Sequence, residues 1–315
     1  MGDVILTVTC NPAIDVTYRV DSLVPGEMHR VREVTERAGG KGVNVARVLH
    51  LLGERTMATG LADVGFADAV ELLGVPAAFL TALPSMRRTL AVHADGLTTS
   101  LWEPGAVVEE PADVALKLER HVQLLLTGAD GLVVSGSLPP GFAPDLPTRL
   151  AELAIDEDVP VVLDLDDEPL RVAADGGAAV LMPNLDELAR LVGADGDLDV
   201  VAAASELSGR SRAPVVATLG IDGMVAATKD GSWHAVAEQV AGNPTGAGDA
   251  AAAAIIRGLV RGEPWPEVLA DAVALSAAAV VAPVAGEVDL DAYQRWRGTI
   301  EVRPIDSLIV QKVPR

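Results

Sequence analysis

Short β-branched runs that alternate with longer helical patterns restrict this chain to very few architectures. Segments 4–10, 131–135, 159–164, 178–182 and 214–219 have the length and residue types of buried strands. Segments 43–52, 111–127, 144–155, 186–192 and 198–208 carry helical spacing instead. Two parallel strands must be joined by a crossover, usually a helix. The alternation therefore predicts an α/β fold with a doubly wound, mostly parallel sheet flanked by helices. Ligands of such sheets bind beyond the carboxyl ends of the strands. With 315 residues, half of them hydrophobic, the chain suits one large domain over 1–315, with or without a smaller companion.

Two segments break the rhythm. Residues 15–20 alternate as a strand, and 87–102 read as a hairpin turning at Asp95-Gly96, neither with an intervening helix. They predict a small β-sheet lid, built from segments at about 11–37 and 85–107. The Asp/Gly-rich stretch 193–199 reads as a surface loop ahead of a helix.

Chemistry concentrates in two glycine clusters. The later one, Gly246-Ala247-Gly248-Asp249, precedes an Ala/Ile run over 250–259 that reads as a buried helix. The first amides of a helix lack internal partners and sit at the positive end of its dipole, so they attract a phosphate. Asp249 stands beside them as a candidate base. Two plainer readings stay open at this level. One is an ordinary helix start with Asp in the first turn. The other is a dinucleotide fingerprint, since 246–251 fits G-x-G-x-x-A, although 266–281 reads as a second helix where that motif requires a strand.

The earlier cluster, Gly39-Gly40-Lys41-Gly42-Val43-Asn44, leads into an amphipathic helix ending at Gly53. It is not a Walker A loop, because Gly42 follows the lysine where Ser or Thr is needed and Thr35 stands where a glycine is needed. Either a polar ligand approaches this backbone, or a flexible turn feeds a helix that Asn44 caps.

Charge narrows the partners. Lys and Arg number 24 against 45 Asp and Glu, a net charge of −21 that argues against nucleic acid and anionic membrane. An anionic ligand then requires a local positive site. Cys10 is the only cysteine, so no internal disulfide forms and a buried thiol is expected. The amino terminus, with Asp3 and the early Asn11-Pro12, does not read as a signal peptide. Met1-Gly2 lacks the Ser or Thr that myristoylation wants, Leu6 standing in its place. The apolar stretch 272–285, broken by Ser276 and Pro283, is shorter than the ~20 residues a bilayer requires and reads as a core helix. A cytoplasmic location is the expectation.

Taken in order, Asn11-Pro12-Ala13-Ile14-Asp15, the Gly39–Asn44 cluster, Ser135-Gly136-Ser137 through Gly141, Asn184-Leu185-Asp186-Glu187, Thr218 through Gly223, and Thr245 through Asp249 resemble the ribokinase-like sugar kinases of the PfkB family. The 1-phosphofructokinase and tagatose-6-phosphate kinase branch is the most similar. The resemblance runs from about residue 4 to about residue 297. It implies transfer of the ATP γ-phosphate to a hydroxyl of a phosphosugar, with fructose 1-phosphate first and tagatose 6-phosphate or fructose 6-phosphate as alternatives. In that resemblance Asp249 is the base, and the amides of Gly246, Ala247 and Gly248 meet the transferring phosphoryl group. Asp15, Gly39, Gly40, Lys41 and Asn44 hold sugar hydroxyls. Arg87 or Arg88 binds the substrate phosphate, with Ser137 adding a hydroxyl. Asn184 and Glu187 belong to the Mg2+ and phosphate network, Glu187 acting on Mg2+ through water. Thr218, Gly220 and Gly223 border the nucleotide. A homodimer paired through lid edges is a further expectation.

Three departures accompany the resemblance. Met182 precedes Pro183-Asn184 where the family often has Lys, the turn 164–167 is acidic, and Trp102 stands where Asn is common. They motivate a second class of function, a non-catalytic sensor of sugar phosphates. A nicotinamide-dependent oxidoreductase, resting on 246–251 alone, is a third.

Overall fold

The computed structural model describes residues 4–310 except 178 and 283. In chain order, β1 (Val4–Thr9) enters the centre of the molecule, and β2 (Ala13–Arg19) and β3 (Glu33–Gly39) leave it for a small sheet. Then α1 (Lys41–Leu51), β4 (Arg55–Ala62), α2 (Phe66–Glu71) and β5 (Ala77–Thr81) build one flank of the large sheet. The hairpin β6 (Arg87–Ala94) and β7 (Leu97–Trp102) returns to the small sheet. Next come α3 (Pro111–Leu126), β8 (Gly131–Gly136), α4 (Leu146–Ile155), β9 (Val161–Leu165), α5 (Asp167–Ala173), β10 (Val180–Leu181) and α6 (Leu185–Leu191). They are followed by β11 (Leu198–Asp199), α7 (Val200–Ser211), β12 (Val215–Thr218), β13 (Met224–Thr228) and β14 (Gly231–Ala235). The chain closes with α8 (Ala247–Val260), α9 (Trp265–Val280), α10 (Leu290–Arg297), β15 (Val302–Pro304) and β16 (Ile309–Val310).

The large sheet has ten strands in the order β15-β14-β13-β12-β10-β9-β8-β1-β4-β5. From β12 to β5 every pairing is parallel, and β13, β14 and β15 extend the other edge antiparallel. Its central strands are buried on both faces, as a helix-covered parallel sheet requires. Leu6 and Val8 pack into the core beneath α3, α4 and α7, while Ile5 joins the core beneath α1, α8 and α9. The winding reverses between β1 and β8, which opens a crevice beyond their carboxyl ends. The four-stranded sheet, β3-β2-β6-β7, stands over that crevice as the predicted lid.

Helix α8 lies at the heart of the second core. Residues 250–254, all alanine, combine high helix propensity with minimal bulk, and all are buried. At Gly258 a Cβ would press to 2.7 Å from Val268 of α9, so only glycine permits that helix contact.

Several expectations are corrected. The helix expected over 198–208 begins at Val200, because Leu198 and Asp199 pair with β16 and Asp199 caps the helix by accepting from the amides of Val201 and Ala202. The loop 193–199 therefore ends in a strand. The lid gains a full strand, β3, that its charged sequence concealed, and this strand extends through Gly39. The strand expected over 178–182 is confined to Val180–Leu181, with Ala178 outside the described residues. Helix α9 ends at Val280, so the apolar stretch 272–285 finishes as a loop, in which Pro283 lies outside the described residues. The readings at Met1, Gly2 and Asp3 also lie outside them. Among the described residues no helix is long and apolar enough to cross a membrane. Cys10 is a buried thiol, pushed up to about 12 by burial.

Candidate active site

The two glycine clusters meet. Gly40, at φ 105°, caps α1, and Gly246, at φ 89°, caps α8, so each helix starts at a turn that favours glycine. The two helix starts are joined by one bond, from Asn44 Nδ2 to Asp249 Oδ2 at 2.9 Å. Asn44 thus caps no helix; it holds a carboxylate 205 positions away in sequence. The loop after α9 braces the same place, since a Cβ on Gly246 would meet Ala285 and one on Gly286 would meet Asn44.

Asp249 lies in the first turn of α8 and is only 6% exposed. Position at a helix start favours an ionised carboxylate, yet its pKa is raised to about 7. Burial is the main cause, the nearby Asp164 adds to it, and Lys41 and the Asn44 bond offset it only in part. Of the three amides expected to face a phosphoryl group, that of Ala247 donates to Pro244 O at 3.2 Å. Gly248 lies inside the helix, one residue further than its turn-like sequence suggests.

Lys41 does not stand free at the rim. Its Nζ lies 2.8 Å from Asp166 Oδ1 and 3.1 Å from Asp164 Oδ1. Burial, the largest single influence, works against its charge, but Asp164, Asp166 and Asp249 together raise its pKa. The acidic turn therefore has a defined partner. Asp166 and Asp164 are functional candidates that motif reading passed over, and an acidic pair after a buried strand was the available signal. Glu187 belongs to the same field, buried and raised chiefly by desolvation, with Lys41 lowering it and Asp166 and Asp164 raising it. It forms a capping box with Asn184: the Glu187 amide donates to Asn184 Oδ1 at 2.9 Å and the Asn184 amide to Glu187 Oε2 at 2.8 Å. An isolated bridge places Asn184 beside Thr218 at the ends of β10 and β12. Gly220, at φ 62°, opens a single helical turn there, and Gly223, at φ 82°, follows it. At Gly223 a Cβ would overlap the Ala235 carbonyl, so that glycine answers first to the packing of β14.

The lid completes the arrangement. Asp15 pairs in register with Arg37 on one side and Thr89 on the other, and Thr89 Oγ1 donates to Asp15 Oδ1. A Cβ on Gly39 would overlap the Asp15 carboxylate, which explains the glycine. Burial raises Asp15, while Thr89, Arg37 and Arg87 lower it. Arg87 and Arg88 separate cleanly. Arg87 is half-buried and within electrostatic reach of Asp15 and Asp166, whereas Arg88 is exposed. As neighbours on one strand the two side chains leave opposite faces of the sheet, so Arg88 does not share the face that carries Arg87 and Asp15.

Asn11 is a further member that the motif contained without a role. Its Nδ2 donates to Ser137 Oγ at 3.1 Å and to Pro104 O at 3.0 Å, and its own carbonyl accepts from Arg87 Nε at 3.0 Å. Ser137 is thereby tied to the segments that connect the lid strands to the main body. Arg37 was also missed; it reaches from β3 to the Ala285 carbonyl and to Glu287, which Arg47 holds at 2.6 Å. Thr9 Oγ1, Asn11 Oδ1 and Ser135 Oγ are buried with no hydrogen-bond partner among the described residues, Thr9 Oγ1 packing against Gly42 and Asn11 Oδ1 against Gly105.

This crevice can hold a polyol between Asp15 and Asn44, an anion at Arg87, and a phosphoryl group at the start of α8 beside a carboxylate poised near neutrality. Solved structures share the architecture. Phosphofructokinase-2 from Escherichia coli is 28% identical and superposes with a TM-score of 0.86, over 95% of this chain and 99% of that one. A protein described as a possible 1-phosphofructokinase from Thermotoga maritima is 23% identical, with a TM-score of 0.82 over 96% and 100% of the two chains. Arabidopsis thaliana ribokinase, solved with ribose and ATP, is 20% identical, with a TM-score of 0.70 over 94% and 99%. A sequence model of the pfkB family carbohydrate kinases matches residues 4–290, and the chain belongs to that family of sugar kinases.

Proposed function

We propose that the protein is an ATP- and Mg2+-dependent phosphosugar kinase that converts fructose 1-phosphate to fructose 1,6-bisphosphate. The observation that carries this reading is the Asn44–Asp249 bond, which sets the base at the sugar rim while Arg87 faces the same space from the lid. Asp249 orients the acceptor hydroxyl and takes its proton. A carboxylate titrating at about 7 suits that task at neutral pH. The free amides in the first turn of α8, with the helix dipole, meet charge on the phosphoryl group in flight. The guanidinium of Arg87 holds the phosphate already on the sugar, and the ion pair of Lys41 with Asp164 and Asp166 lies beside the transfer path.

Among the described residues no three His, Cys, Asp or Glu side chains form a cluster able to hold a metal alone. Mg2+ fits a different mode, keeping several waters and resting on substrate phosphates with one or two carboxylates. The buried Glu187 and the adjacent Asp166 provide oxygen donors for that mode, and Mg2+ would there neutralise phosphate charge. Asn184, Thr218 and Gly220 would border the nucleotide at the ends of β10 and β12. We propose further that 1–315 acts as one kinase unit, and that two copies associate through the exposed lid edge β3, where Val34 lies open to solvent.

Fructose 6-phosphate, bound in a structure of the Escherichia coli enzyme, and tagatose 6-phosphate are the alternative acceptors. A sensor that binds sugar phosphate without turnover is the second reading. It is favoured by Met182 in the core and by the capture of Lys41, which leave the transfer end poor in free cations. Coupled ADP release over a panel of sugars and phosphosugars decides. Turnover confined to fructose 1-phosphate supports the first reading, and saturable binding with no ADP from any sugar supports the sensor.

A further inference from the structure

Strand register places four side chains in one row across the lid. Arg37 on β3 faces Asp15 on β2, Asp15 faces Thr89 on β6, and Thr89 faces Trp102 on β7. Residues directly opposite share a face of the sheet. That face is the crevice side, because Asp15 contributes to the raised pKa of Asp249 and Arg37 crosses to Ala285 and Glu287 of the main body. The row is closed at its Arg37 end and open at its Trp102 end. Of the chain's four tryptophans, Trp102 alone is exposed, at 74%, on an edge strand exposed along its whole length. Arg87 lies two residues before Thr89 and so on the same face, diagonal to Trp102.

We propose that Trp102 is a specificity-determining residue, an indole platform that covers the C–H face of the phosphosugar. This rests on the sugar-kinase reading above. A sugar held by hydroxyls at Asp15 and by phosphate at Arg87 spans Thr89, and its polar groups are then spoken for on two sides. Its third side faces β7. Two strand spacings, about 10 Å, separate the backbones of Asp15 and Trp102, a gap that a hexose ring and an indole fill together. Binding pockets pair a few fixed polar groups with apolar and aromatic walls, and Trp102 is the aromatic group available on this face. Its flat, rigid ring supplies contact area at little conformational cost. Selectivity follows from shape, since a longer or bulkier substrate would meet the ring.

The test joins kinetics to tryptophan fluorescence in the full-length protein. Fructose 1-phosphate, fructose 6-phosphate and tagatose 6-phosphate are titrated without ATP, with acrylamide as quencher, into wild type and Trp102→Phe. Saturable protection of the exposed tryptophan in wild type, absent from Trp102→Phe, is the expected result. Trp102→Ala should raise KM for the phosphosugar about five- to tenfold with kcat within about twofold, and Trp102→Phe should restore most of the loss. An unchanged KM in Trp102→Ala, or a tryptophan still open to acrylamide at saturating sugar, overturns the proposal while leaving the kinase reading intact. Protection that depends on protein concentration and not on sugar also overturns it, assigning Trp102 to a contact with a second copy. Absence of ADP release from every sugar in wild type would remove both.

Discussion

Helix α8 carries a buried charge at each end, and the two ends are built for different purposes. At its start, Asp249 has one side-chain hydrogen-bonding partner among the described residues, Asn44, and burial, with Asp164 and Asp15 adding to it, raises its pKa to about 7. Toward its end, Arg257 is 5% exposed and paired through Nη2 with two buried groups. It donates to Asp271 and to Tyr293 Oη, the latter at 2.5 Å, while Tyr293 donates back to Asp271 at 2.5 Å and Arg297 closes on Asp271 at 3.2 Å. Burial opposes the Arg257 charge, but Asp271 and Tyr293 outweigh it and raise its pKa. One end is under-compensated and one is satisfied. A buried charge with every partner in place fixes helices α8, α9 and α10 against each other, whereas a buried charge left short of partners is available for chemistry.

The contrast can be broken most forcefully at the rear. Arg257→Ala leaves the buried Asp271 with only Tyr293 and the half-exposed Arg297 and should cost about 3 kcal/mol, read as a lower urea midpoint, with turnover per folded molecule within about twofold. A stable Arg257→Ala protein with impaired turnover would mean that both ends serve catalysis. At the front, Asp249→Asn should cut turnover at least ~100-fold while ATP still binds. The same change should stabilise the fold. A carboxyl whose folded pKa is about 7, against 3.8 as its ordinary value, keeps its proton longer in the folded state, so stability falls as pH rises from about 4 to about 7. The uncharged amide introduced by Asp249→Asn escapes that loss, and Tm should exceed wild type by a few degrees at pH 8 and converge with it near pH 4. Near-normal activity, or a lower Tm at pH 8, would deny the tension at this end.

Smaller effects sharpen the picture. Arg87→Ala should raise KM for phosphosugars about 10- to 100-fold and hardly affect unphosphorylated sugars, while Arg88→Ala stays within about twofold. Equal losses in the two variants would undo their assignment to opposite faces. In wild type, kcat/KM should climb about tenfold per pH unit up to about 7 and then level, because the ionised form of Asp249 is the working base. A profile flat from pH 5 to 8 would exclude that role.

Much of the fold was legible because its signals are local. Parallel strands buried on both faces need continuous apolar runs, and helices between them need caps and periodicity, so β1, β8, β9 and β12 were found within two residues. The hairpin 87–102, with its Asp95-Gly96 turn, was found too. Strand β3 escaped because Glu33, Glu36 and Arg37 disguise an exposed strand whose only apolar side is shared with its neighbour. Strands β11 and β16 escaped because a two-residue pairing between distant segments leaves no periodicity.

The site divides along the same line. The glycines that permit two tight helix starts, the carboxylate beside one of them and the arginine pair on the lid are chemical facts of the sequence, as is the family to which their order belongs. Which arginine faces the crevice, which carboxylates hold Lys41, and how far Asp249 is shifted were decided only by the tertiary structure. Those properties depend on what lies within a few ångströms, and Asn44 and Asp249, or Lys41 and Asp164, become neighbours only when the sheet has closed. The sequence determined the groups; burial and proximity determined their charge and direction, because electrostatic interaction depends on distance and on the exclusion of water.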